Sequence, residues 1–269
     1  MNPEPDPHIY IDGSNWIHRL YHAMPEPSRV PDQFRRWLAT FMSTFRPQSL
    51  RIALDAAGDN WRSELCPEYK AQRAKKPDDL RKLLDTAETW LKSWDWLRVP
   101  GYEADDLLAT WAWQARQYGQ RVVIASADRD LFQCVHYEHV TVLRGFQTER
   151  DESGQRRVGK CDWMNYERFV GEYQLVPPQW PQYRALVGDN SDNMGGVKGI
   201  GPKVAAALLR TFPTIEDFLS ADAKFATTPL TQVQTKRIRA AYDAGDIARW
   251  TRIHTLSKNA PERAEAKQP

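Results

Sequence analysis

The fold is decided by three short apolar stretches that each run into an aspartate, the first being HIYID at residues 8–12. The pattern recurs as LRIALD at residues 50–55 and as RVVIAS at 121–126, with Asp128 just beyond. Continuous apolar runs of this length are typical of buried parallel strands, and open α/β sheets carry their functional groups at the carboxyl ends of such strands. We therefore predict an α/β fold with a mostly parallel sheet and an aspartate from each stretch at one edge.

The remainder of the chain predicts helices around this sheet and a second, helical part. Segments with helical periodicity cover residues 32–45, 78–95 and 103–118 and are long enough for crossover connections. Beyond residue 162, prolines interrupt short helical segments and no strand-like run appears. We predict an α/β domain over 1–160, a helical subdomain over 162–257 and a flexible tail over 258–269.

Composition and charge narrow the class of protein. The 269 residues include 37 Lys+Arg and 35 Asp+Glu, giving a formal net charge of only +2, which taken alone argues against a simple basic nucleic-acid binder. The charge is uneven: 10 basic and 14 acidic residues lie in 101–197, and 12 basic and 7 acidic residues lie in 198–269. This distribution suggests a cation site beside a polyanion-binding surface, although chance variation among solvated faces explains it equally well.

Targeting signals are absent from the sequence pattern. No apolar run approaches the roughly 18 residues of a membrane-spanning helix, and the first residues lack the basic and apolar regions of a signal peptide. The 3 cysteines are isolated from one another, which fits a reducing compartment. We expect a cytoplasmic protein, in a bacterial cell or a phage-infected host, that is not secreted.

Closely spaced carboxylates are the most informative chemical feature. Acid pairs follow the third strand as Asp128 and Asp130 and recur as Asp189 and Asp192, while Glu103-Ala104-Asp105-Asp106 precedes an apolar helix. A single aspartate at such a position is usually a helix cap or a turn residue. Several pairs together indicate a bound cation, because like charges repel unless something neutralises them. Oxygen ligands without Cys or His favour Mg²⁺ or Mn²⁺, and two such ions ~4 Å apart can clamp a reacting phosphodiester.

A glycine-rich segment, GGVKGIGPK at residues 195–203, predicts a phosphate contact. It lacks the Lys-Ser/Thr ending of a P-loop and the preceding strand of a dinucleotide-binding motif. A Gly-Ile-Gly hairpin that opens a helix presents backbone N–H groups to a phosphate, and Lys198 and Lys203 add positive charge. The alternative is a plain tight turn.

Together these motifs resemble the 5′ nuclease family, which includes flap endonucleases, phage 5′–3′ exonucleases and the N-terminal 5′ nuclease domain of bacterial DNA polymerase I. The matching motifs follow the family order over roughly residues 8–255: Ile11-Asp12-Gly13 with Arg19 and His22-Ala23; Asp55 followed by Trp61-Arg62 and Tyr69-Lys70-Ala71-Gln72-Arg73; Gly101–Asp106; Ala127–Leu131; and Leu186–Asn193 through Gly199–Lys203. The resemblance implies a PIN-like sheet domain, a helical arch at about 60–95 and a helix–hairpin–helix type motif at 194–212.

The resemblance also implies roles for individual residues. The first metal would take Asp55, Glu103, Asp105, Asp106 and Asp128, and the second Asp130, Asp189 and Asp192 together with Asp128, with Asp12 bound through water. The scissile phosphate would be approached by Lys70, Arg73 and Arg19, where a cation stabilises developing charge. Contacts with DNA would come from Arg62, Tyr69, Lys198, Gly199, Gly201 and Lys203, with K⁺ at the 194–203 hairpin.

The leading hypothesis is a Mg²⁺-dependent, structure-specific 5′ nuclease with 5′–3′ exonuclease and flap endonuclease activity. It would hydrolyse DNA phosphodiesters near single-strand/double-strand junctions by a two-metal mechanism and leave a 5′-phosphate. We expect a monomer that acts on DNA with 5′ ends, flaps, nicks or gaps, alongside a replicative or repair polymerase. The chain would be either a free-standing nuclease or part of a longer polymerase. Two alternatives are a non-catalytic DNA junction-binding protein and a metal-dependent ribonuclease.

Overall fold

The computed structural model describes residues 6–221 and 229–261. Within them, six strands form one sheet: β1 (His8–Asp12), β2 (Ser49–Leu54), β3 (Asp95–Arg98), β4 (Val122–Ala125), β5 (Val140–Arg150) and β6 (Arg156–Met164). The α-helices of the same residues are α1 (Gly13–Ala23), α2 (Val30–Phe45), α3 (Trp61–Leu65), α4 (Asp78–Asp85), α5 (Ala87–Trp90), α6 (Ala104–Gln117), α7 (Tyr166–Tyr173), α8 (Trp180–Val187), α9 (Pro202–Thr211), α10 (Ile215–Ser220), α11 (Gln232–Asp243) and α12 (Asp246–His254).

The sheet has the strand order β3-β2-β1-β4-β5-β6 and is parallel except for β6, which runs antiparallel to β5. Ile11 of β1 pairs with Ile52 of β2 on one side and with Ala125 of β4 on the other. The chain therefore leaves the central strand β1 first toward β2 and later toward β4. Such a reversal of strand order opens a crevice at the carboxyl ends of the strands, where α/β proteins bind ligands. The predicted mostly parallel sheet is confirmed.

Aromatic packing stabilises the sheet against α1 and α2. Trp16 of α1 is buried, and its ring lies 5.0–5.5 Å from those of Phe34, Phe41 and Phe146 at tilted or edge-on angles. Large aromatic side chains in these geometries dominate the energetics of a core. This cluster continues through the buried β-strand residues and fixes the position of α1, whose first residue follows Asp12.

Two parts of the sheet were not predicted from sequence. The stretch 78–95 is not one helix, because it divides into α4 and α5 and ends at the start of β3. The sequence also does not predict the long β5–β6 hairpin, although this hairpin forms one edge of the sheet. Its strands carry charged side chains and are half-exposed along much of their length, so they lack the continuous apolar run that marks the buried central strands.

The chain divides into two compact units. The sheet unit comprises the described parts of 1–60, 75–165 and 257–269, and the helical unit comprises those of 61–74 and 166–256. Residues 61–74, which the sequence analysis assigned to the first domain, thus belong to the helical unit. There the Arg62 Nε donates to the carbonyl oxygen of Ile253 at 3.0 Å, and the Lys70 amide donates to that of Asp192 at 2.8 Å.

Residues 258–261, the described part of the predicted flexible tail over 258–269, are packed against the sheet unit. The amide of Ala260 donates to Thr110 Oγ1 at 3.1 Å, and Ala260 is buried. Residues up to 261 therefore belong to the sheet unit, while residues 262–269 lie outside the described residues.

The helical unit has an aromatic core of its own. Trp180 is buried and stacks on Tyr183 at 4.9 Å, with the rings of Phe169 and Tyr173 edge-on against it. This cluster joins α7 to α8, and the segment after α8 leads through the glycine-rich hairpin into α9. Over the described residues, we find no helix that combines the length and apolarity needed to cross a membrane.

Candidate active site

Asp12 lies at the carboxyl end of the central strand and is almost fully buried, with 6% of its surface exposed. It caps α1, since its Oδ1 accepts the amide hydrogen of Asn15 at 2.8 Å. Its Oδ2 accepts the hydroxyl hydrogen of Ser126, directly after β4, at 2.7 Å. Strand pairing brings the ends of β1 and β4 together, so the fold itself creates this contact. The carboxylate is therefore fixed in orientation.

Two further aspartates lie at the ends of the neighbouring strands. Asp55 follows β2; its amide donates to Ser14 Oγ at 2.8 Å, and its Oδ1 accepts the amide hydrogen of Ala104 at 2.9 Å. The amide of Asp128 donates to Ser126 Oγ at 3.1 Å. Two serines thus tie the three strand-end segments together, as predicted for neighbouring parallel strands. Asp128 is exposed and Asp55 half-buried, so both carboxylates remain accessible.

The electrostatics of this arrangement favour a cation. Burial raises the pKa of Asp12 from its ordinary 3.8 to about 7, and the charges of Asp55 and Asp128 contribute to the rise, while hydrogen bonds from Asn15 and Ser126 oppose it. A carboxylate that is desolvated beside like charges is unfavourable in its ionised form. A cation bound among the three would reverse that cost, because it interacts favourably with each of them.

The acids at the start of α6 act partly as helix caps. Glu103 is the N-cap of α6 and forms a capping box with Asp106. Asp106 has no exposed surface, and its Oδ1 also accepts the amide hydrogen of Ser257 at 2.9 Å. These contacts give Asp106 a structural role at the start of α6, and its predicted metal ligation stays a prediction. Asp105 is buried on the first turn of the same helix.

Asp130 and Arg19 complete the predicted residues of the sheet unit. The amide of buried Asp130 donates to Asp128 Oδ1 at 2.8 Å, so this pair forms a local turn after β4. Arg19 donates from Nη2 to the carbonyl oxygen of Phe146 at 3.0 Å, and its guanidinium lies over the rings of Phe146 and Trp37. These contacts give Arg19 a packing role and do not support its predicted approach to a phosphate.

Both predicted metal-binding aspartates of the helical unit are paired with arginines. Asp192 is buried, and its Oδ1 accepts from Arg73 Nη2 at 2.5 Å. Asp189 pairs with Arg184 and also accepts from the amide of Ser191 at 2.8 Å. Their negative charges are therefore compensated within the unit, and the predicted phosphate contact Arg73 is held by a predicted metal ligand.

Lys70 occupies an uncommon backbone conformation. Its φ is 57°, in the left-handed region that side-chain-bearing residues rarely adopt, and its amide is held by the carbonyl of Asp192. The Lys70 Nζ lies 4.7 Å from the centre of the Tyr69 ring. Backbone strain of this kind persists only where surrounding contacts impose it, and it clusters at functional sites.

Burial corrects two of the predicted DNA contacts. Arg62 is only 1% exposed, with its guanidinium over the Trp61 ring and its Nε bonded to Ile253. Tyr69 is 7% exposed and packs with Cys66, Met194 and Ile253. Both residues support the helical unit from within, which the family motif alone could not reveal.

The glycine-rich hairpin has the exposure that a phosphate contact requires. Its apolar members Val197 and Ile200 are buried beneath it, while the residues predicted to contact DNA are exposed: Lys198, Gly199, Gly201 and Lys203. Gly199 has a φ of 82°, which requires glycine, and Gly201 caps α9, with Pro202 at its first turn. The hairpin thus leads directly into the N-terminus of a helix, where anions bind favourably.

The predicted metal ligands of the sheet unit do not form a ready-made ion site. Over residues 6–221 and 229–261, no three His, Cys, Asp or Glu side chains lie close enough together to hold a metal ion. The donor set nevertheless fits Mg²⁺ or Mn²⁺, because it consists of carboxylate oxygens around a buried, electrostatically unfavourable Asp12.

Comparison with known proteins identifies the family. The N-terminal resolvase-like domain of 5′–3′ exonucleases matches residues 7–165, and their C-terminal SAM fold matches residues 175–268. The chain belongs to the 5′–3′ exonuclease family. It is therefore a nuclease of the class that includes 5′–3′ exonucleases and flap endonucleases.

Individual relatives agree with this assignment. A 5′–3′ exonuclease of Aquifex aeolicus is 34% identical over 227 residues, covering 81% of this chain and 74% of the relative. The flap endonuclease Xni of Vibrio vulnificus is 32% identical over 222 residues, covering 80% of each. The T5 5′-exonuclease, solved with bound zinc, shares the fold with a TM-score of 0.72 at 19% identity, covering 92% of this chain and 89% of the T5 chain.

Sequence reasoning missed the residues that orient the acids. Ser14, Ser126 and Arg184 each hydrogen-bond or pair with a predicted metal ligand or its backbone. The serines had a detectable signal, since each adjoins the end of a predicted strand. Arg184 had none, because its pairing with Asp189 depends on how α8 ends.

Proposed function

We propose that this member of the 5′–3′ exonuclease family is a Mg²⁺-dependent, structure-specific nuclease that hydrolyses DNA near single-strand/double-strand junctions and leaves a 5′-phosphate. The observation that carries the proposal is the position of Asp12, Asp55 and Asp128 at or just beyond the carboxyl ends of three adjacent parallel strands, with Asp12 buried. Family membership supports nuclease chemistry, and the three carboxylates are suited to hold a divalent cation.

Asp12, Asp55 and Asp128 would hold the ion, with Glu103 and Asp105 beside them on the α6 side. Bound Mg²⁺ supplies positive charge that stabilises negative charge on phosphate oxygens. The Ser126 hydroxyl orients the Asp12 carboxylate, while Ser14 and Ser126 accept from the backbone amides of Asp55 and Asp128 and fix where those residues begin. The assignment of a second ion to Asp130, Asp189 and Asp192, and of K⁺ to the hairpin, stays a prediction from the family resemblance.

Lys70 and Arg73 would position the phosphate. Arg73 is about half exposed, and its ion pair with Asp192 presents a guanidinium, a group suited to bidentate phosphate contacts. The Lys70 amide donates to the backbone carbonyl of the same aspartate, so both residues are anchored at Asp192. A guanidinium held in this way needs little reorganisation when negative charge develops on the phosphate.

The similarity to nucleases argues against the first alternative, a non-catalytic DNA junction-binding protein. The exposed glycine-rich hairpin suits duplex DNA and so argues against the second alternative, a metal-dependent ribonuclease. A monomeric state, cooperation with a polymerase and a cytoplasmic location stay predictions of the sequence.

The test is a panel of DNA substrates labelled at either the 5′ or the 3′ end: 5′-flap, nicked, gapped and blunt duplexes, each with Mg²⁺ or with EDTA. We expect Mg²⁺-dependent cleavage of the flap strand close to the junction, with a ligatable 5′-phosphate on the downstream product. Matched single-stranded and duplex RNA serve as controls. Preferential cleavage of RNA, or cleavage that starts from 3′ ends, would contradict the proposal.

A further inference from the structure

Two side chains of α11 hold the backbone of the glycine-rich hairpin. Arg237 donates from Nη1 to the carbonyl oxygen of Lys198 at 3.1 Å. Gln234 donates from Nε2 to that of Gly199 at 3.2 Å. The two residues are three positions apart and therefore share one face of α11. Neither belongs to a motif that the sequence analysis selected.

The capping box at the N-terminus of α11 orients the Gln234 side chain toward the hairpin. Thr231 caps this helix, and the Gln234 amide donates to Thr231 Oγ1 at 3.2 Å. In return, Gln234 Oε1 accepts the amide hydrogen of Thr231 at 2.9 Å. Because this capping box occupies the oxygen of the side-chain amide, its nitrogen points to Gly199.

The Arg237 guanidinium lies directly against position 199, where the left-handed backbone favours glycine. A Cβ on Gly199 would lie 2.5 Å from Arg237 Nη1, and the φ of 82° is itself unfavourable for other residues. The guanidinium and the left-handed turn are thus matched to each other.

The contact also changes the chemistry of the hairpin. The carbonyl of Lys198 belongs to the same peptide group as the amide N–H of Gly199. A cation bonded to that carbonyl polarises the peptide and makes its N–H a stronger donor. Gly199 is exposed, so this peptide lies at the surface that the sequence predicts to grip DNA, where its N–H would meet a phosphate.

We propose that Arg237 is a positioning residue for DNA binding: it fixes the 198–199 peptide and strengthens the Gly199 N–H toward a phosphate of the duplex. Gln234 supports the same turn from the next carbonyl. The inference rests on the proposed DNA substrate. It adds α11 to the surface that would bind the duplex.

The test compares Arg237→Ala with Arg239→Ala on a 5′-flap duplex. Arg239 is the matched control, because it lies on the same helix and is exposed, yet donates to Leu219 at 3.4 Å instead of to the hairpin. Loss of a charged hydrogen bond predicts an increase of about tenfold in Kd, measured in Ca²⁺, and in KM, with kcat unchanged. Arg239→Ala should change either value less than about threefold, as expected for loss of one surface charge.

Two further variants separate positioning from general charge and from folding. Arg237→Lys keeps a cationic donor and should recover most of the binding. Gln234→Glu keeps the capping acceptor but directs a carboxylate at the Gly199 carbonyl, so it should raise KM, while thermal unfolding shows the fold retained. Equal effects of Arg237→Ala and Arg239→Ala, or a fall in kcat at unchanged KM, would overturn the inference. Failure of the wild type to bind or cut DNA would instead reject the proposed function.

Discussion

Replacing Asp12 with asparagine should stabilise the ion-free protein at neutral and alkaline pH. In the folded state the pKa of Asp12 is raised to about 7, whereas an unfolded aspartate titrates near 3.8. Between these two values the folded protein holds the proton more tightly, so wild-type stability falls as pH rises from about 4 to about 7. The amide side chain of the Asp12→Asn variant does not titrate, so the substitution removes this slope.

The size of the effect follows from the pKa difference. At about 1.36 kcal/mol per pKa unit, a rise from 3.8 to about 7 costs the ionised form on the order of 4 kcal/mol. Between pH 5 and pH 8, about 3 kcal/mol of that cost should appear. Asparagine is a suitable replacement, because its oxygen still accepts from Asn15 and its amide can donate to Ser126 Oγ.

The assay is urea unfolding in EDTA at pH 5 and pH 8, followed by circular dichroism. The variant's stability relative to the wild type should rise by about 3 kcal/mol between the two pH values. Asp59→Asn, an exposed control, should stay within about 0.5 kcal/mol of the wild type at both. A difference between Asp12→Asn and the wild type that does not vary with pH would refute the electrostatic account of the strand ends.

Lys70→Ala should lower the single-turnover cleavage rate about 100-fold or more, as for loss of one transition-state donor, with a smaller change in Kd. Lys70→Gly tests the same charge loss with the left-handed backbone relaxed, and a normal rate in either variant would exclude a role for the ammonium group. Gly196→Ala should destabilise the helical unit by about 1–3 kcal/mol in urea unfolding, because its Cβ would lie 2.4 Å from the backbone of Val187. Gly195→Ala, whose Cβ would meet only Trp250 at 3.8 Å, is the matched control, and equal stability of the two variants would contradict this packing.

The buried central strands could be predicted from the sequence, because a short run of apolar residues is enough to indicate such a strand. The runs around β1, β2 and β4 are mostly apolar, since most of their residues are buried, and each ends at or near an acid. The β5–β6 hairpin could not be found in this way, because half-exposed strands tolerate charge and glycine. Its pairing depends on the sheet that already exists.

The site shows the same division. The identity of the strand-end acids follows from the sequence, and so does their position at one edge of the sheet, because parallel strands align their carboxyl ends. The burial and hydrogen-bond partners of Asp106, Arg62 and Arg19 could not be predicted from the sequence. Each side chain bonds to a residue more than 100 positions away, namely Ser257, Ile253 and Phe146 respectively. A family motif records which residue is present, but only packing decides whether its side chain is buried or faces a substrate.

The central claim is that the strand-end carboxylates make this chain a metal-dependent 5′ nuclease. It is tested most directly by single-turnover cleavage of a 5′-labelled flap duplex in Mg²⁺ by the wild type and Asp128→Ala, with DNA binding measured for both in Ca²⁺. We predict cleavage by the wild type in Mg²⁺ and none in EDTA, with Asp128→Ala inactive although it still binds the flap. Undiminished turnover by Asp128→Ala, or wild-type cleavage in EDTA, would contradict it.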